Sequence, residues 1–173
     1  MDFANKKILI AYFSKKGENW YTNGLAKLPI GNTEKMAKLI QKAVGGDLFE
    51  IVSKKEYPDG YYVCCDVAKS EMKAKARPEL VTMKSVQSYD VIFVGYPTWW
   101  GTLPMPIFTF LDANDFQGKI LIPFNTSEGS GFGRGVKDLE KECPGAILKN
   151  GLALAGHEVD SKEEAIQQWL KTL

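Results

Sequence analysis

Three short, continuous apolar runs dominate the pattern of the chain. They cover residues 8–13 (ILIAYF), 91–96 (VIFVGY) and 120–124 (ILIPF), and each is followed by a polar segment or one rich in glycine and proline. The runs are rich in β-branched and aromatic residues and do not alternate with polar positions. This pattern is typical of strands that are buried on both faces of a sheet.

Two weaker apolar segments predict the remaining strands. One covers residues 48–52 (LFEIV), and the other covers residues 146–155 (AILKNGLALA) with an interruption at Gly151. With the three buried runs, these segments give five predicted strands.

Helix-like segments lie between the predicted strands. In Thr33–Val44, Met36, Ile40 and the final valine recur at four-residue steps and form one apolar stripe, and a pair of glycines follows. The last helix opens with Ser161 and has Glu164 three positions later, which predicts a capping box. The other predicted helices cover residues 61–76, 104–111 and 134–143, and the last covers 161–173.

The alternation of strands and helices predicts an α/β fold with a mainly parallel sheet covered by helices on both faces. The 173 residues are enough for one compact domain and too few for two, so we expect a single domain over residues 1–173. In such sheets, ligands bind beyond the carboxyl ends of the strands, where the strand order reverses.

Charge and composition narrow the class of partner. Lys and Arg total 22 against 21 Asp and Glu, and no basic face interleaved with aromatic residues is apparent, so a nucleic-acid partner is not expected. The three cysteines do not suggest a disulfide framework, and the N-terminal apolar run is too short to span a membrane. We therefore expect a cytoplasmic protein. With a single histidine, His157, we expect neither a metal site nor a Ser-His-Asp triad.

The loop after the first predicted strand carries the features of a phosphate site. Ser14 stands just past the strand, and Gly31-Asn32-Thr33 stands at the start of the first helix. Hydroxyls, free backbone N–H groups and the positive end of the helix dipole can together hold a phosphate. The alternative is that Asn32 or Thr33 only caps the helix. Neither the dinucleotide pattern GxGxxG nor the ATP-binding pattern GxxxxGK[ST] is present, which disfavours NAD and ATP.

The loops after the third and fourth predicted strands are also unusual. The first of them reads YPTWWGTLP, and at least one of its adjacent tryptophans is expected to face a cleft, where it can stack on a flat ligand. The second reads NTSEGSGFGRG, and its glycines let the backbone approach a ligand closely. The alternative for the tryptophans is that they pack in the core, and the alternative for the glycine-rich segment is that it is a plain flexible loop. The occurrence of all three loops in one sheet favours a ligand site.

The order YFS, GNT, YPTWWG and TSEGSG resembles the flavodoxin-like FMN-binding proteins of the bacterial type with a WWG loop. The resemblance covers essentially the whole chain. It implies a three-layer sandwich with a five-stranded parallel sheet of order 2-1-3-4-5, and FMN as the cofactor. The flavin would carry the redox chemistry, so no catalytic side chain is expected.

The resemblance also implies which residues bind FMN. Those of the first loop would bind the phosphate, and those of the other two loops would flank the flavin ring. The phosphate residues are Ser14, Lys16, Asn32 and Thr33, and the ring residues are Pro97, Thr98, Trp99, Trp100 and Gly101 in one loop and Thr126, Ser127, Gly129, Ser130 and Gly131 in the other.

Two departures from the family pattern affect the expected function. The phosphate loop is split by Gly17–Ile30, which would form either a flap over the flavin or a surface segment, and Lys16 replaces the expected threonine. The near-neutral charge also departs from the acidic character of flavodoxins that shuttle electrons. The leading hypothesis is an electron carrier for redox partner proteins, and the alternative is an FMN-dependent NAD(P)H oxidoreductase acting on a quinone-type acceptor. A binding module without a cofactor is the third possibility.

Overall fold

The computed structural model describes residues 1–173 and contains eight strands, five α-helices and one 3₁₀ helix. The strands are β1 (Ile8–Tyr12), β2 (Gly17–Tyr21), β3 (Gly24–Leu28), β4 (Asp47–Glu50), β5 (Val91–Pro97), β6 (Ile120–Ser127), β7 (Ile147–Leu148) and β8 (Leu152–Ala155). The helices are α1 (Asn32–Val44), α2 (Tyr61–Ala74), α3 (Met105–Asp112), α4 (Gly135–Glu142), the 3₁₀ helix (Gly156–Ser161) and α5 (Glu163–Thr172).

The main sheet has the order β4-β1-β5-β6-β7, and all its pairs are parallel. β8 also pairs with β6 in parallel, at the carboxyl end of that strand. Because β2 and β3 form a separate antiparallel hairpin, β4 is the second main-sheet strand along the chain. The order is therefore 2-1-3-4-5, which confirms the predicted fold.

The central strands divide the core into two layers. Leu9 and Ala11 of β1 contribute to a cluster that includes side chains of α3 and α4, whereas Ile8 and Ile10 contribute to a cluster with α1 and α5. Successive side chains of a strand point to opposite faces, so a strand covered on both sides is apolar throughout. This is why the buried runs could be identified from sequence. Burial of each such aliphatic side chain stabilises the folded state by about 1.5–3 kcal/mol.

The fifth predicted strand is two short strands separated at Gly151. β7 pairs with Ile120 and Leu121, and β8 pairs with the far end of β6. A Cβ on Gly151 would lie 2.7 Å from the ring of Phe132, closer than real contacts allow. Glycine therefore fits where the chain passes between the two strands, and the predicted interruption is confirmed.

The predicted capping box at the last helix is wrong. Ser161 belongs to the 3₁₀ helix, and its hydroxyl donates to the carbonyl of Glu158 at 2.8 Å. α5 begins at Glu163, after Lys162, with no side-chain cap. The serine hydroxyl thus satisfies a local carbonyl instead of a helix N–H group, as serine side chains often do.

The segment that splits the phosphate loop folds as the β2–β3 hairpin. Its strands pair from Gly17 opposite Leu28 to Tyr21 opposite Gly24.

No helix of the chain is both long enough and apolar enough to cross a membrane.

Candidate functional site

A cleft of about 610 Å³ lies beyond the carboxyl ends of β1, β5 and β6. The strand order reverses next to β1, because β4 pairs with one of its edges and β5 with the other. This is the place where open α/β sheets bind ligands, and the volume lies in the range of small-molecule sites. The cleft has a polar side and an aromatic side.

The polar side begins at the N-terminus of α1. Gly31 is the N-cap residue and has no side chain that could cap the helix. Ser14 Oγ accepts the N–H of Glu34 at 3.0 Å, while the N–H groups of Asn32 and Thr33 have no partner within the helix. A Cβ on Gly31 would lie 2.7 Å from the carbonyl oxygen of Lys15, so glycine allows the close approach of this loop to the helix.

The start of α1 is tied to the end of β6. Thr33 Oγ1 and Thr126 Oγ1 share a hydrogen bond of 2.8 Å, and both side chains are buried. Asn32 Oδ1 is buried and has no hydrogen-bond partner in the chain. Because buried polar atoms are normally paired, this oxygen is open to a donor supplied by a ligand.

The two tryptophans occupy a tight turn. Trp99 and Thr102 exchange two backbone hydrogen bonds of 3.0 and 3.1 Å around Trp100 and Gly101, whose φ angles are +50° and +77°. Positive φ at both central positions defines a type I′ turn, in which a residue with a Cβ costs about 1–2 kcal/mol. The two backbone hydrogen bonds between Trp99 and Thr102 offset this conformational cost.

The tryptophan side chains have different surroundings, although both line the cleft. Trp99 packs edge-on against Phe13 and Tyr57, each with a centroid distance of 5.0 Å. Trp100 remains 44% exposed, and its Nε1 donates to the carbonyl of Cys65 in α2 at 2.9 Å. The expectation that at least one tryptophan faces a cleft is confirmed.

The tryptophan turn and the glycine loop are joined at one edge. The N–H of Arg134 donates to the carbonyl of Gly101 at 2.9 Å, and the hydroxyl of Thr98 donates to the carbonyl of Gly131. Asn125 Nδ2 donates to Thr98 Oγ1 at 2.8 Å and fixes that side chain. The two loops therefore form one support beside the cleft.

The aromatic side is formed by the hairpin and the first turn of α2. Glu18 Oε2 accepts the N–H of Tyr61 at 3.0 Å and so caps α2 from the hairpin. The ring of Trp20 lies 6.1 Å from that of Tyr61, which lies 5.3 Å from that of Tyr62. Together with Trp100, these residues form a surface that we call the aromatic wall. Burial is the main cause that raises the pKa of Tyr61 to about 12, which keeps its hydroxyl protonated.

Cys64 and His157 provide no reactive group in this cleft. Burial raises the pKa of the Cys64 thiol to about 11, so it is largely protonated at neutral pH. His157 does not line the cleft, and its Nδ1 lies 2.5 Å from Glu128 Oε2, while its N–H donates to Glu128 Oε1. The histidine anchors the start of the 3₁₀ helix to the loop after β6.

The structure brings nine of the fourteen predicted residues to the cleft surface. They are Asn32, Thr33, Pro97, Thr98, Trp99, Trp100, Thr126, Ser127 and Ser130. Four others support these: Ser14 holds the N-terminus of α1, Gly101 and Gly131 join the two loops, and Gly129, with φ +110°, lies in the glycine loop.

Lys16 does not line the cleft. It borders a separate depression between the hairpin and Asp59, because Gly17 turns the chain into β2 with φ +84°. Lys15 lines the cleft instead, and its Nζ donates to the carbonyl of Lys16 at 2.6 Å. The cleft is also lined by four residues that were not predicted as site residues: Glu18, Tyr61, Tyr62 and Cys65. The sequence shows only that these residues are polar or apolar. Whether they face the cleft depends on the position of the hairpin.

The donor set of the cleft fits FMN. The free N–H groups and hydroxyls at the start of α1 suit a terminal phosphate, and the unpaired Asn32 Oδ1 suits a hydroxyl donor of the kind a ribityl chain carries. The tryptophan turn and the glycine loop offer a flat aromatic side chain and open backbone for a ring.

Comparison with known proteins agrees with this geometry. The profile of the family described as flavodoxin matches residues 7–173. The chain is similar to a candidate flavoprotein from Bacteroides eggerthii, with 34% identity and a TM-score of 0.78 over 97% of this chain and 98% of the other. It is also similar to a Lactobacillus acidophilus flavoprotein crystallised in complex with FMN, with 26% identity and a TM-score of 0.63 over 90% of this chain and 97% of the other.

Among curated sequences, flavodoxin 1 of Escherichia coli is 26% identical over 131 residues. That alignment covers 73% of this chain and 61% of the length of the E. coli protein. The fold, the cleft at the switch point of the sheet and the profile match over 7–173 together establish that the chain belongs to the flavodoxin family.

Proposed function

We propose that this protein binds one FMN non-covalently in the cleft and carries electrons to and from redox partners. The single observation that carries the proposal is the convergence of three loops at the switch point: the start of α1, the tryptophan turn and the glycine loop. The similarity to a flavoprotein that was crystallised with FMN supports the identity of the cofactor. When bound, FMN supplies reversible one- and two-electron transfer.

The residues of the chain have distinct roles in this proposal. The N–H groups of Asn32 and Thr33 would hold the phosphate at the positive end of the α1 dipole, where the anion needs no paired cation. Thr126 fixes Thr33 through their shared hydrogen bond, so the phosphate site is rigid before binding. Rigid donors lose little conformational entropy when a ligand binds.

The ring would lie between the tryptophan turn and the glycine loop. Trp99 is held by core contacts and so offers a fixed face, whereas Trp100 is partly exposed. An exposed edge next to the ring would let electrons pass to a partner without opening the protein. The three free cysteines, two of them buried, support a reducing compartment such as the cytoplasm.

The proposal is tested by purifying the protein, recording its visible spectrum and following electron transfer. We expect flavin absorbance, release of FMN on denaturation, and oxidation of the reduced holoprotein by a one-electron acceptor such as cytochrome c under anaerobic conditions. Protein that purifies without flavin and takes up none from excess FMN would contradict the proposal.

A second candidate is an FMN-dependent NAD(P)H oxidoreductase with a quinone-type acceptor. Two observations favour it: the near-neutral net charge of +1, and an aromatic wall that lies beside the proposed flavin site. Rapid anaerobic bleaching of the flavin by stoichiometric NADH or NADPH would identify this activity. A flavin that remains oxidised for hours under those conditions would favour the protein-to-protein carrier.

A further inference from the structure

All the exposed aromatic side chains of this protein lie in one place. Trp20, Tyr62 and Trp100 are 40%, 65% and 44% exposed, and all three line the same cleft. Elsewhere the exposed large apolar residues are aliphatic and lie outside the cleft, as at Val81 and Met83. Exposed apolar side chains that cluster in a concave site mark a binding surface more strongly than scattered ones do.

Contacts with the neighbouring elements position the aromatic wall, and Lys69 Nζ lies 4.5 Å from the centroid of the Trp100 ring. Glu18 attaches the hairpin to the first turn of α2, and Lys27 of β3 forms an ion pair with Asp59 at 2.8 Å. The indole N–H of Trp100 is tied to α2 at Cys65. These contacts hold the hairpin and Trp100 against α2 before any ligand binds.

Charge selects the class of ligand that suits this wall. The charged residues that line the cleft are one lysine, Lys15, and three carboxylates, Glu18, Asp66 and Glu128, and no arginine is among them. The start of α1 is assigned to the FMN phosphate, and the rest of the lining has neither an arginine nor a second glycine-rich helix start of the kind that holds the pyrophosphate of a dinucleotide. It accepts an uncharged ligand.

Hydrogen bonding refines the choice. The hydroxyl of Tyr62 makes no hydrogen bond within the chain, whereas the amide of Asn19 is already bonded to the carbonyls of Lys15 and Gly17. A free hydroxyl donor beside stacked rings suits a flat molecule with carbonyl acceptors on its ring.

We infer that the aromatic wall is a second ligand site, beside the proposed cofactor, for a flat, uncharged molecule of the para-quinone class. The inference rests on the proposed function, because a quinone at this position would be the acceptor for electrons carried by FMN. Trp20 and Tyr62 would contact its ring, and neither was among the residues assigned to the cofactor.

The test uses oxidised holoprotein with saturating FMN and 2,3-dimethyl-1,4-naphthoquinone as the probe, with binding measured by calorimetry. Both partners are oxidised, so binding is observed without turnover, and the blocked ring carbons prevent addition of the thiols of Cys64 and Cys65. We expect saturable binding that Trp20→Ala and Tyr62→Ala each weaken about 3- to 10-fold, the range of one aromatic contact. Trp20→Phe should retain most of the affinity.

Met83→Ala is the control, because it also removes an exposed large apolar side chain but lies outside the cleft. It should bind the quinone as the parent protein does. Absence of quinone binding to holoprotein that retains FMN, or equal binding by the parent, Trp20→Ala and Tyr62→Ala, would overturn the inference and leave the proposed function intact. NADPH binding that depends on Trp20 while quinone binding does not would also overturn it. Failure to bind FMN at all would instead refute the proposed function.

Discussion

At the residue scale, a shared hydrogen bond fixes the proposed phosphate site. Thr33 and Thr126 are both nearly fully buried, and their hydroxyls lie 2.8 Å apart. The sequence placed both threonines in the site through the GNT and TSEGSG motifs. It could not indicate that they contact each other, because that contact depends on the register of β1 and β6 against β5.

Thr33→Ala tests the phosphate site directly. The change removes one hydroxyl and leaves that of Thr126 without its partner, so we expect FMN binding to weaken by about 1–3 kcal/mol. Titration of the apoprotein with FMN measures this. The matched control is Thr109→Ala, which removes a hydroxyl that donates to the carbonyl of Pro78. Neither residue lines the cleft, so this change should leave the FMN affinity unchanged. An unchanged dissociation constant in Thr33→Ala would reduce Thr33 to a structural role.

The reactivity of Cys64 has a predictable pH dependence. Burial raises its pKa to about 11, and only the thiolate reacts with an alkylating agent. Alkylation of Cys64 by iodoacetamide should therefore increase about tenfold per pH unit from pH 7 to pH 10. Peptide mass spectrometry follows the rate. Bound FMN should slow the reaction of Cys64, which lines the cleft, and leave that of Cys143 unchanged; a rate that levels off below pH 9 would contradict the raised pKa.

Among the secondary-structure elements, the strands of the main sheet and the helices that flank it could be predicted from the sequence, whereas the hairpin could not. β1, β5 and β6 are buried on both faces, so their sequences are apolar without interruption and easy to identify. Apolar and polar residues do not alternate along the sequences of β2 (GENWY) and β3 (GLAKL). These strands pair with each other and not with the main sheet. The position of Gly17–Ile30 beside the phosphate loop suggested a flap or a surface segment, but nothing in its local sequence indicated a hairpin.

The attachment of the hairpin to α2 can be tested through Glu18. Its carboxylate accepts the N–H of Tyr61, so Glu18→Ala should cost about 0.5–2 kcal/mol of local stability, as loss of a helix cap does. Hydrogen exchange should accelerate at residues 17–28 and in the first turn of α2, while the main sheet stays protected.

Two variants separate this effect from a change in surface charge. Glu56→Ala removes an exposed glutamate that forms no hydrogen bond or ion pair, and it should leave exchange in the hairpin unchanged. Glu18→Gln keeps an oxygen acceptor and should have an intermediate effect. Equal exchange in Glu18→Ala and the parent protein would show that the hairpin is held by Trp20 and the Lys27–Asp59 ion pair instead.

At the scale of the whole molecule, the site results from three loops that are distant in sequence and meet at one edge of the sheet. Their convergence could be predicted because parallel strands place their carboxyl ends together. The direction of individual side chains could not, as Lys16 shows: the turn at Gly17 directs the chain into the hairpin and leaves Lys15 to line the cleft.

Titration of the apoprotein with FMN, riboflavin and FAD, followed by flavin fluorescence, measures how much the phosphate and the ring each contribute to binding in the cleft. We predict one FMN per chain and an affinity for riboflavin at least about tenfold weaker, because riboflavin lacks the phosphate for the start of α1. FAD should also bind more weakly than FMN, since no adenosine-binding motif is present. Equal affinity for riboflavin and FMN, or no saturable uptake of FMN, would contradict the account.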